Sequence, residues 1–446
     1  MNRRKFLGVT TSGLGLLALS SFPAFAARNT NQGPVQFEVP ANTGINGHIV
    51  VLGGGMAGAS VAKYLRLWGG TDVQVTLVEK SATYTSNIMS NTVLTGQRTL
   101  ANLAYTYSML VNHYGVNLVT QEVTEIGADS LLLADGTILD NYNRLVIAPG
   151  LEFDLMPGMS SLDEYDTLIP HAWKAGPQTA LLRDQLINMT DGANVVITIP
   201  KAPYRCPPGP YERACVIADW LKTNKPNSKV IVLDANADIL VEKDNFNYAF
   251  TVTHAGVVDY RPGCMITHVD SANRVVSYDQ GLSSYTVESG VLNPIPPQRA
   301  PQLLADAGLL NSPDGRFASV DVLSYESTAT GKSGIHIIGD ASNTTMPKAG
   351  HIGNQQAKTC VDAILRLLQG QQPDQAPVTN SACFTPITAS TATWLSAVYQ
   401  YDPGTKKMVI PAQHNSGTAI SATAATTRNY QDMLTWFNTL MGDTFA

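Results

Sequence analysis

The chain has 446 residues, 44% hydrophobic and 14% charged, with a formal net charge of -6. That length supports two or three domains with proper cores, and the composition excludes a disordered chain. The excess of acids argues against a nucleic-acid binder. Cysteines stand at 206, 215, 264, 360 and 383, an odd number. None lies in Cys-x-x-Cys or Cys-x-x-Cys-His, so no c-type haem attachment and no metal site is expected in this chain.

Residues 1–26 read as an export signal. Arg3-Arg4-Lys5-Phe6-Leu7 opens it, a Gly/Leu/Ala-rich run follows, and Ala24-Phe25-Ala26 offers a small-residue cleavage site. The arginine pair with Phe-Leu behind it looks like a twin-arginine signal, which places the mature chain in a periplasm. The run is too short and too interrupted for a good membrane span. Its removal takes away three positive charges and no acid, so the net charge moves from -6 to -9.

After a Gly/Pro/Asn-rich linker over 27–46, His48–Leu52 is a short apolar strand. Gly53-Gly54-Gly55-Met56-Ala57-Gly58 follows, and then a helical run, Ala59–Leu67. Gly53 serves the turn, Gly55 the close approach of a pyrophosphate and Gly58 helix-on-strand packing. The helix start adds unpaired N–H groups and a positive dipole end. A second strand, Val73–Val78, ends in Glu79, placed to accept from ribose hydroxyls. Lys80, next in sequence, joins the candidate cofactor-binding set. Strand, turn, helix, strand and acid in that order point to a nucleotide site, where a glycine-rich surface turn would leave Glu79 unexplained.

Two later segments favour FAD over NAD there. Asn143–Gly150 resembles the strand and turn that close the first half of FAD domains. Gly334–Ala341 resembles the strand whose terminal acid holds the ribityl chain, which makes Gly339 and Asp340 candidates. The plain alternative for Asp340 is a helix cap. Met346-Pro347-Lys348-Ala349-Gly350 then leads into a helix from about His351 to Gln369. Its positive end could stabilise a reduced flavin ring.

Between these halves lies an insert with its own strand–helix–strand pattern: Val195–Ile199, a helix over 211–223, and Val230–Leu233. In a two-nucleotide flavoprotein the turn after its first strand would carry glycines for a nicotinamide cofactor. Here it reads Pro200-Lys-Ala-Pro-Tyr-Arg-Cys206-Pro-Pro-Gly-Pro-Tyr-Glu212. Prolines fill the cradle and a thiol and an acid stand in it, which points to oxidation without NAD. The nearby helix start favours anions and is expected to depress the Cys206 pKa. The bland alternative makes Cys206 a packed thiol and Glu212 a helix-start acid. From about residue 373 the composition turns to Ser/Thr/Ala/Pro. The end of the chain, Tyr430, Met433, Leu434, Phe437, Leu440 and Met441, has helical apolar spacing and lacks a basic face. Packing against the protein or a partner is therefore expected over membrane binding.

The expected fold is α/β: two Rossmann-like domains of the glutathione-reductase type plus a small C-terminal α+β domain. The FAD domain spans 47–160 and 285–372, a second Rossmann-like domain without an NAD fingerprint spans 161–284, and a C-terminal interface domain spans 373–446.

Four stretches discriminate further: Pro-His-Ala-Trp-Lys-Ala-Gly at 170–176, Arg-Cys-Pro-Pro-Gly-Pro-Tyr-Glu-Arg at 205–213, Ile-Pro-Pro-Gln-Arg-Ala at 295–300 and Met-Pro-Lys at 346–348. With them the chain resembles the flavoprotein subunit of flavocytochrome c sulfide dehydrogenase, a relative of sulfide:quinone oxidoreductases. The resemblance implies FAD, oxidation of a small inorganic sulfur species at a cysteine pair, and a c-type cytochrome subunit as electron acceptor. It assigns Cys206 to one cysteine of the pair, Glu212 to the neighbouring proton-handling acid, and Lys348 to the cofactor-binding set. Two positions depart from it. Ser342 stands where the second redox cysteine is expected, and Asn87 where the cysteine bonded to the flavin is expected. The FAD is thus expected to be non-covalent. Cys360 lies too far along its helix to pair at the flavin, about 15 Å, and Cys215 would need its helix start to unwind. Neither Cys264 nor Cys383 is placed by the sequence. A lone Cys206 could carry a persulfide, or sit against the flavin while hydrosulfide attacks the ring. A divergent substrate and a non-catalytic FAD-binding subunit are the alternative functions.

Overall fold

The computed structural model describes residues 37–411 and 420–446, so the export signal at 1–26 lies outside the described residues. The first nucleotide fold begins with β1 (Gly47–Leu52), α1 (Met56–Gly69) and β2 (Val73–Val78). β1 is a short run of branched apolar residues, and Ile49, Val50 and Val51 are wholly buried. A strand covered on both faces reads this way when it sits inside a parallel sheet. β2 pairs parallel with β1 and with β3 (Asn117–Val119), and β1 pairs on its other side with β4 (Arg144–Ile147).

The second fold repeats the scheme with β5 (Val195–Ile199), α2 (Gly209–Asn224) and β6 (Val230–Asp234), in a parallel sheet with β7 (Val258–Pro262) and β8 (Val291–Pro294). β8 lies beside β5, with Val291 opposite Val195. This moves the expected boundary after residue 284. The chain leaves the sheet for an antiparallel excursion over 264–288 and returns to add an edge strand before it crosses back. The two crossings run side by side, where Glu152–Phe153 pairs antiparallel with Gln298–Arg299.

The chain then re-enters the first sheet as β9 (Ile335–Ile337), parallel to β4, and continues into α3 (Gly350–Leu368). The last region is an antiparallel sheet of β10 (Val378–Pro386), β11 (Ala392–Asp402), β12 (Lys407–Val409) and β13 (Ile420–Ser421), followed by α4 (Thr427–Phe445). Thr426 caps α4 by accepting from Asn429 N at 3.0 Å. The apolar stripe of α4 turns inward: Met433, Phe437, Leu440, Met441 and Phe445 are buried. Phe445 stacks on Tyr84 and Tyr105 at 5.1 and 5.4 Å, and Lys63 of α1 donates to the carbonyls of Gly442 and Asp443 at 3.1 Å. The C-terminal helix thus packs on the first nucleotide fold, as its spacing and charge led one to expect. No helix among the described residues is long and apolar enough to cross a membrane.

Candidate active site

The glycines of the first turn are each held by a different constraint. Gly53 has φ +96, and a Cβ there would lie 2.4 Å from the Ala148 carbonyl oxygen. A Cβ on Gly58 would lie 1.8 Å from the Gly53 oxygen. At Gly55 a Cβ meets no protein atom nearer than 3.9 Å, so the protein itself does not demand glycine there. The residue lines a cleft of about 510 Å³, and a ligand passing over the helix start does demand it. α1 has no acid in its first turn, which keeps that end positive.

Gly53, Gly55, Glu79, Lys80, Gly150, Gly339 and Asp340 all line this cleft, together with Ala349 and Gly350 at the start of α3. Glu79 accepts from Gly54 N at 2.7 Å and from Ser81 N at 3.0 Å, which fixes the carboxylate at the end of β2. The donors, the acid and the glycine gap suit a dinucleotide such as FAD. Gly58 sits behind the turn and does not line the cleft. Lys348 does not line it either. Its amine donates to the carbonyls of Asp340 and Ser342 at 2.8 Å and lies 3.8 Å from the centre of the Phe317 ring. Burial lowers its pKa to about 8. Its role here is to brace the strand end behind the cleft. Arg205 faces Asp340 at 3.7 Å and lines the cleft, a cation that stands in the 205–213 motif but was given no cofactor role from the sequence.

A second cavity, of about 90 Å³, adjoins the cleft and shares Asn87, Ile88, Arg205, Ala349 and Gly350 with it. Cys206, Glu212 and Arg213 line it from the proline turn, and His351, Cys383, Phe384 and Trp436 from the C-terminal side. Cys206 has φ +58, a left-handed backbone uncommon for a residue with a side chain. Its N–H donates to Lys348 O at 2.7 Å, and its carbonyl accepts from Gly209 N at 2.8 Å.

Burial corrects the expected thiol chemistry: the helix-start N–H of Gly209, which also donates to the Cys206 carbonyl, pulls the thiol down as expected, but it stands last among the influences on it. Burial first, then Cys383 and Glu212, hold the thiol well above the usual cysteine range, and Arg205 only partly offsets them. The sulfur is therefore protonated at neutral pH.

Glu212 is buried at the start of α2. Burial raises its pKa to about 8, against the pull of a 2.9 Å hydrogen bond from Asn91 and of the Arg213 charge. Asn91 Oδ1 in turn accepts from Arg213 Nε at 2.8 Å. The rest of the Arg213 guanidinium donates to the carbonyls of His171 and Ala172 at 2.7 Å and to Asn293 Oδ1 at 2.9 Å, and its carbon lies 4.6 Å from the Trp173 ring centre. Only the fork of an arginine satisfies so many acceptors at once. The two positions that depart from the resemblance behave differently. Asn87 lines both cavities and its Oδ1 accepts from Ala175 N at 2.7 Å. Ser342 is buried, donates to Gly339 O at 2.7 Å and does not line the thiol cavity. Cys215, Cys264 and Cys360 are buried elsewhere, and all five cysteines are free thiols.

The nicotinamide side of the second fold is closed. The acid ending β6, Asp234, is fully buried. It accepts from Tyr211 at 2.8 Å, Tyr260 at 2.9 Å and Asn236 at 2.8 Å. It has no free face for a ribose, and Glu212 occupies the helix turn where a phosphate would need positive potential.

Residues 47–175 match the pyridine nucleotide-disulphide oxidoreductase family, and residues 179–296 match the central part of the flavoprotein chain of sulfide dehydrogenase, flavocytochrome c. The sulfide:quinone oxidoreductase of Aquifex aeolicus is similar in structure, with a TM-score of 0.72 at 16% identity over 89% of this chain and 91% of that one. NDH2 from Plasmodium falciparum in complex with NADH gives 0.63 at 11% over 90% and 96%. A NAD-dependent persulfide reductase from A. fulgidus gives 0.54 at 14% over 80% and 71%. At these identities the solved structures share the fold alone.

Fold, cleft and family matches support a flavoprotein oxidoreductase similar to the pyridine nucleotide-disulphide oxidoreductases, with a cleft suited to FAD. Within that class, the matched central region is that of the sulfide dehydrogenase (flavocytochrome c) flavoprotein chain, the family that the sequence motifs resemble.

Proposed function

We propose that this protein takes electrons from hydrosulfide, or a related small sulfur species, at Cys206 and passes them by way of a non-covalently held FAD to a c-type cytochrome subunit outside the cytoplasm. The observation that carries this reading is the shared wall of the two cavities. A half-buried thiol and a buried acid face a small chamber that opens onto the flavin cleft at Asn87, Ile88, Arg205, Ala349 and Gly350.

The flavin, when bound, supplies a two-electron acceptor. The remaining chemistry belongs to this chain. Largely apolar walls, among them Trp173, Phe384 and Trp436, exclude water and admit a small sulfur species. Arg205 and Arg213 keep the chamber positive for an anion. Glu212, near neutrality in its pKa, takes up or returns the proton that sulfur chemistry releases or needs. Asn91 and Arg213 orient that carboxyl. Asn87, having no thiol, forms no bond to the flavin.

Anaerobic addition of millimolar hydrosulfide to the holoprotein should bleach the flavin absorbance, and a c-type cytochrome added next should become reduced. An unchanged flavin spectrum overturns the reading. Acid precipitation should leave the yellow colour in the supernatant. Export by the twin-arginine route predicts that replacing Arg3 and Arg4 by lysine keeps the chain out of the periplasm.

A further inference from the structure

One wall of the flavin cleft is backed by the final turn of α4. Tyr84 and Tyr107 line the cleft beside Gly53 and Gly55. Tyr84 lies opposite Tyr105 in a short antiparallel pair, Thr83–Thr85 with Ala104–Thr106. Phe445 stacks on both of these rings, at 5.1 Å from Tyr84 and 5.4 Å from Tyr105, and its centre lies 6.2 Å from that of Tyr107. Tyr107 in turn donates to the carbonyl of Gly54, in the glycine turn, at 3.1 Å. The fit is close, since a Cβ on Gly54 would lie 2.6 Å from the Tyr107 hydroxyl oxygen. We propose that Asp443 and Phe445 form a latch that holds the cofactor in the cleft; the proposal rests on FAD as the occupant of that cleft.

Asp443 ties the same turn of α4 to the two helices whose starts face the cleft. Its carboxylate accepts from Tyr64 of α1 and, at 2.8 Å each, from Asn354 and Lys358 of α3. Asn354 also donates to Ser60 of α1 at 2.9 Å, so α1 and α3 are joined to each other at the same place. Asn354 and Ser60 are wholly buried. Gly55, just before α1, and Gly350, the first residue of α3, both line the cleft. A satisfied buried network of this kind rigidifies the elements that it joins.

Neither Asp443 nor Phe445 lines the cleft, so both act as positioning residues. With the latch seated, Tyr84 and Tyr107 keep one place and the Gly54 carbonyl stays turned toward Tyr107. The glycine turn is then ordered before the cofactor arrives. With the latch lost, the rings and the turn gain freedom, and binding has to remove it. Asn87 offers the flavin no bond, so retention rests on packing of this sort.

The test compares FAD release from three holoproteins: wild type, Phe445→Ala and Phe437→Ala. Phe437 is a second buried ring of α4. It meets Tyr105 at 6.5 Å and the Arg98 guanidinium at 5.2 Å, but stacks on neither cleft tyrosine. Both variants delete the same side chain from the same helix, and the thermal midpoints of the apoproteins check that the general damage is matched. Release is read from the rise in free flavin fluorescence after dilution, with no hydrosulfide present. The expected result is release about tenfold faster from Phe445→Ala than from Phe437→Ala, the scale of a lost aromatic stack. Asp443→Ala should also release FAD faster than Phe437→Ala does. Should alanine prevent folding, Phe445→Leu and Phe437→Leu give the same comparison. Equal release from the two phenylalanine variants, or release from Phe445→Ala at the wild-type rate, overturns the latch. Wild-type protein that takes up no FAD overturns the reading of the cleft itself, and the latch with it.

Discussion

The two nucleotide folds share a backbone plan and differ in one turn. In the first, Gly53, Gly55 and Gly58 clear the space between strand and helix, no acid enters the first turn of α1, and Glu79 faces an open cleft. In the second, prolines fill the turn, Glu212 sits in the first turn of α2, and the corresponding acid, Asp234, is fully buried under two tyrosines. The same helix start that cradles a phosphate in one fold supports a thiol and a proton carrier in the other. Helix-start potential sets what a turn can bind, and a few side chains decide whether that potential is used or cancelled.

The sharpest way to break this contrast is to add one methyl group to each turn. In Gly58→Ala the new Cβ would sit 1.8 Å from a backbone oxygen that cannot move aside, at a cost of roughly 3 kcal/mol or more. The variant should be purified colourless, with a clearly lowered thermal midpoint. Gly209→Ala meets only side chains, Trp173 at 2.9 Å and the Cys206 sulfur at 3.0 Å. It should keep its flavin and respond more slowly to hydrosulfide. Equal flavin loss in both variants would erase the distinction.

Arg213→Met leaves the carbonyls of His171 and Ala172 and the oxygens of Asn91 and Asn293 without their donor. Orphaned buried acceptors should cost on the order of 3 kcal/mol, read by chemical denaturation. Lysine should rescue little, since it lacks the fork.

Glu212→Gln separates the folds by pH. The carboxyl is raised in the folded protein from 4.5 to about 8. A raised group contributes its full stability below the unfolded value and loses it as pH rises through the folded one. Wild type should therefore weaken between about pH 4.5 and 8 relative to the glutamine variant, by on the order of 4 kcal/mol when fully ionised. Thermal midpoints that stay parallel across that range would count against a buried proton carrier. Lys80→Ala should have the smallest effect on stability. Its pair with Glu122 is exposed, so the change should stay within about 0.5 kcal/mol, and any loss of flavin retention would report on the cleft alone.

Local signals carried the first fold almost completely. Gly58 and Glu79 are constrained by atoms within one strand–turn–helix–strand unit, and the spacing of such a unit is written in consecutive residues, while Gly53 adds the Ala148 carbonyl beyond it. The proline turn was equally legible, as was the inward stripe of α4. The content of the thiol chamber was not. Asn91, His351 and Cys383 reach it from elements far apart in sequence, and nothing local to Cys383 marks β10 as the strand that passes Cys206. The boundary near residue 284 failed for a similar reason, because β8 rejoins its sheet only after a long antiparallel excursion. The Cys206 pKa went the other way from expectation because desolvation, with Cys383 and Glu212 beside it, outweighed the pull of Arg205 and of the Gly209 N–H at the helix start.

The most direct measurement places the two folds in competition for one readout: anaerobic titration of the holoprotein with hydrosulfide and, separately, with NADH, following the flavin absorbance in wild type and Cys206→Ser. The account predicts bleaching by hydrosulfide in wild type, its loss in Cys206→Ser, and no bleaching by NADH in either. Bleaching by NADH, or a hydrosulfide response that Cys206→Ser leaves intact, would contradict it.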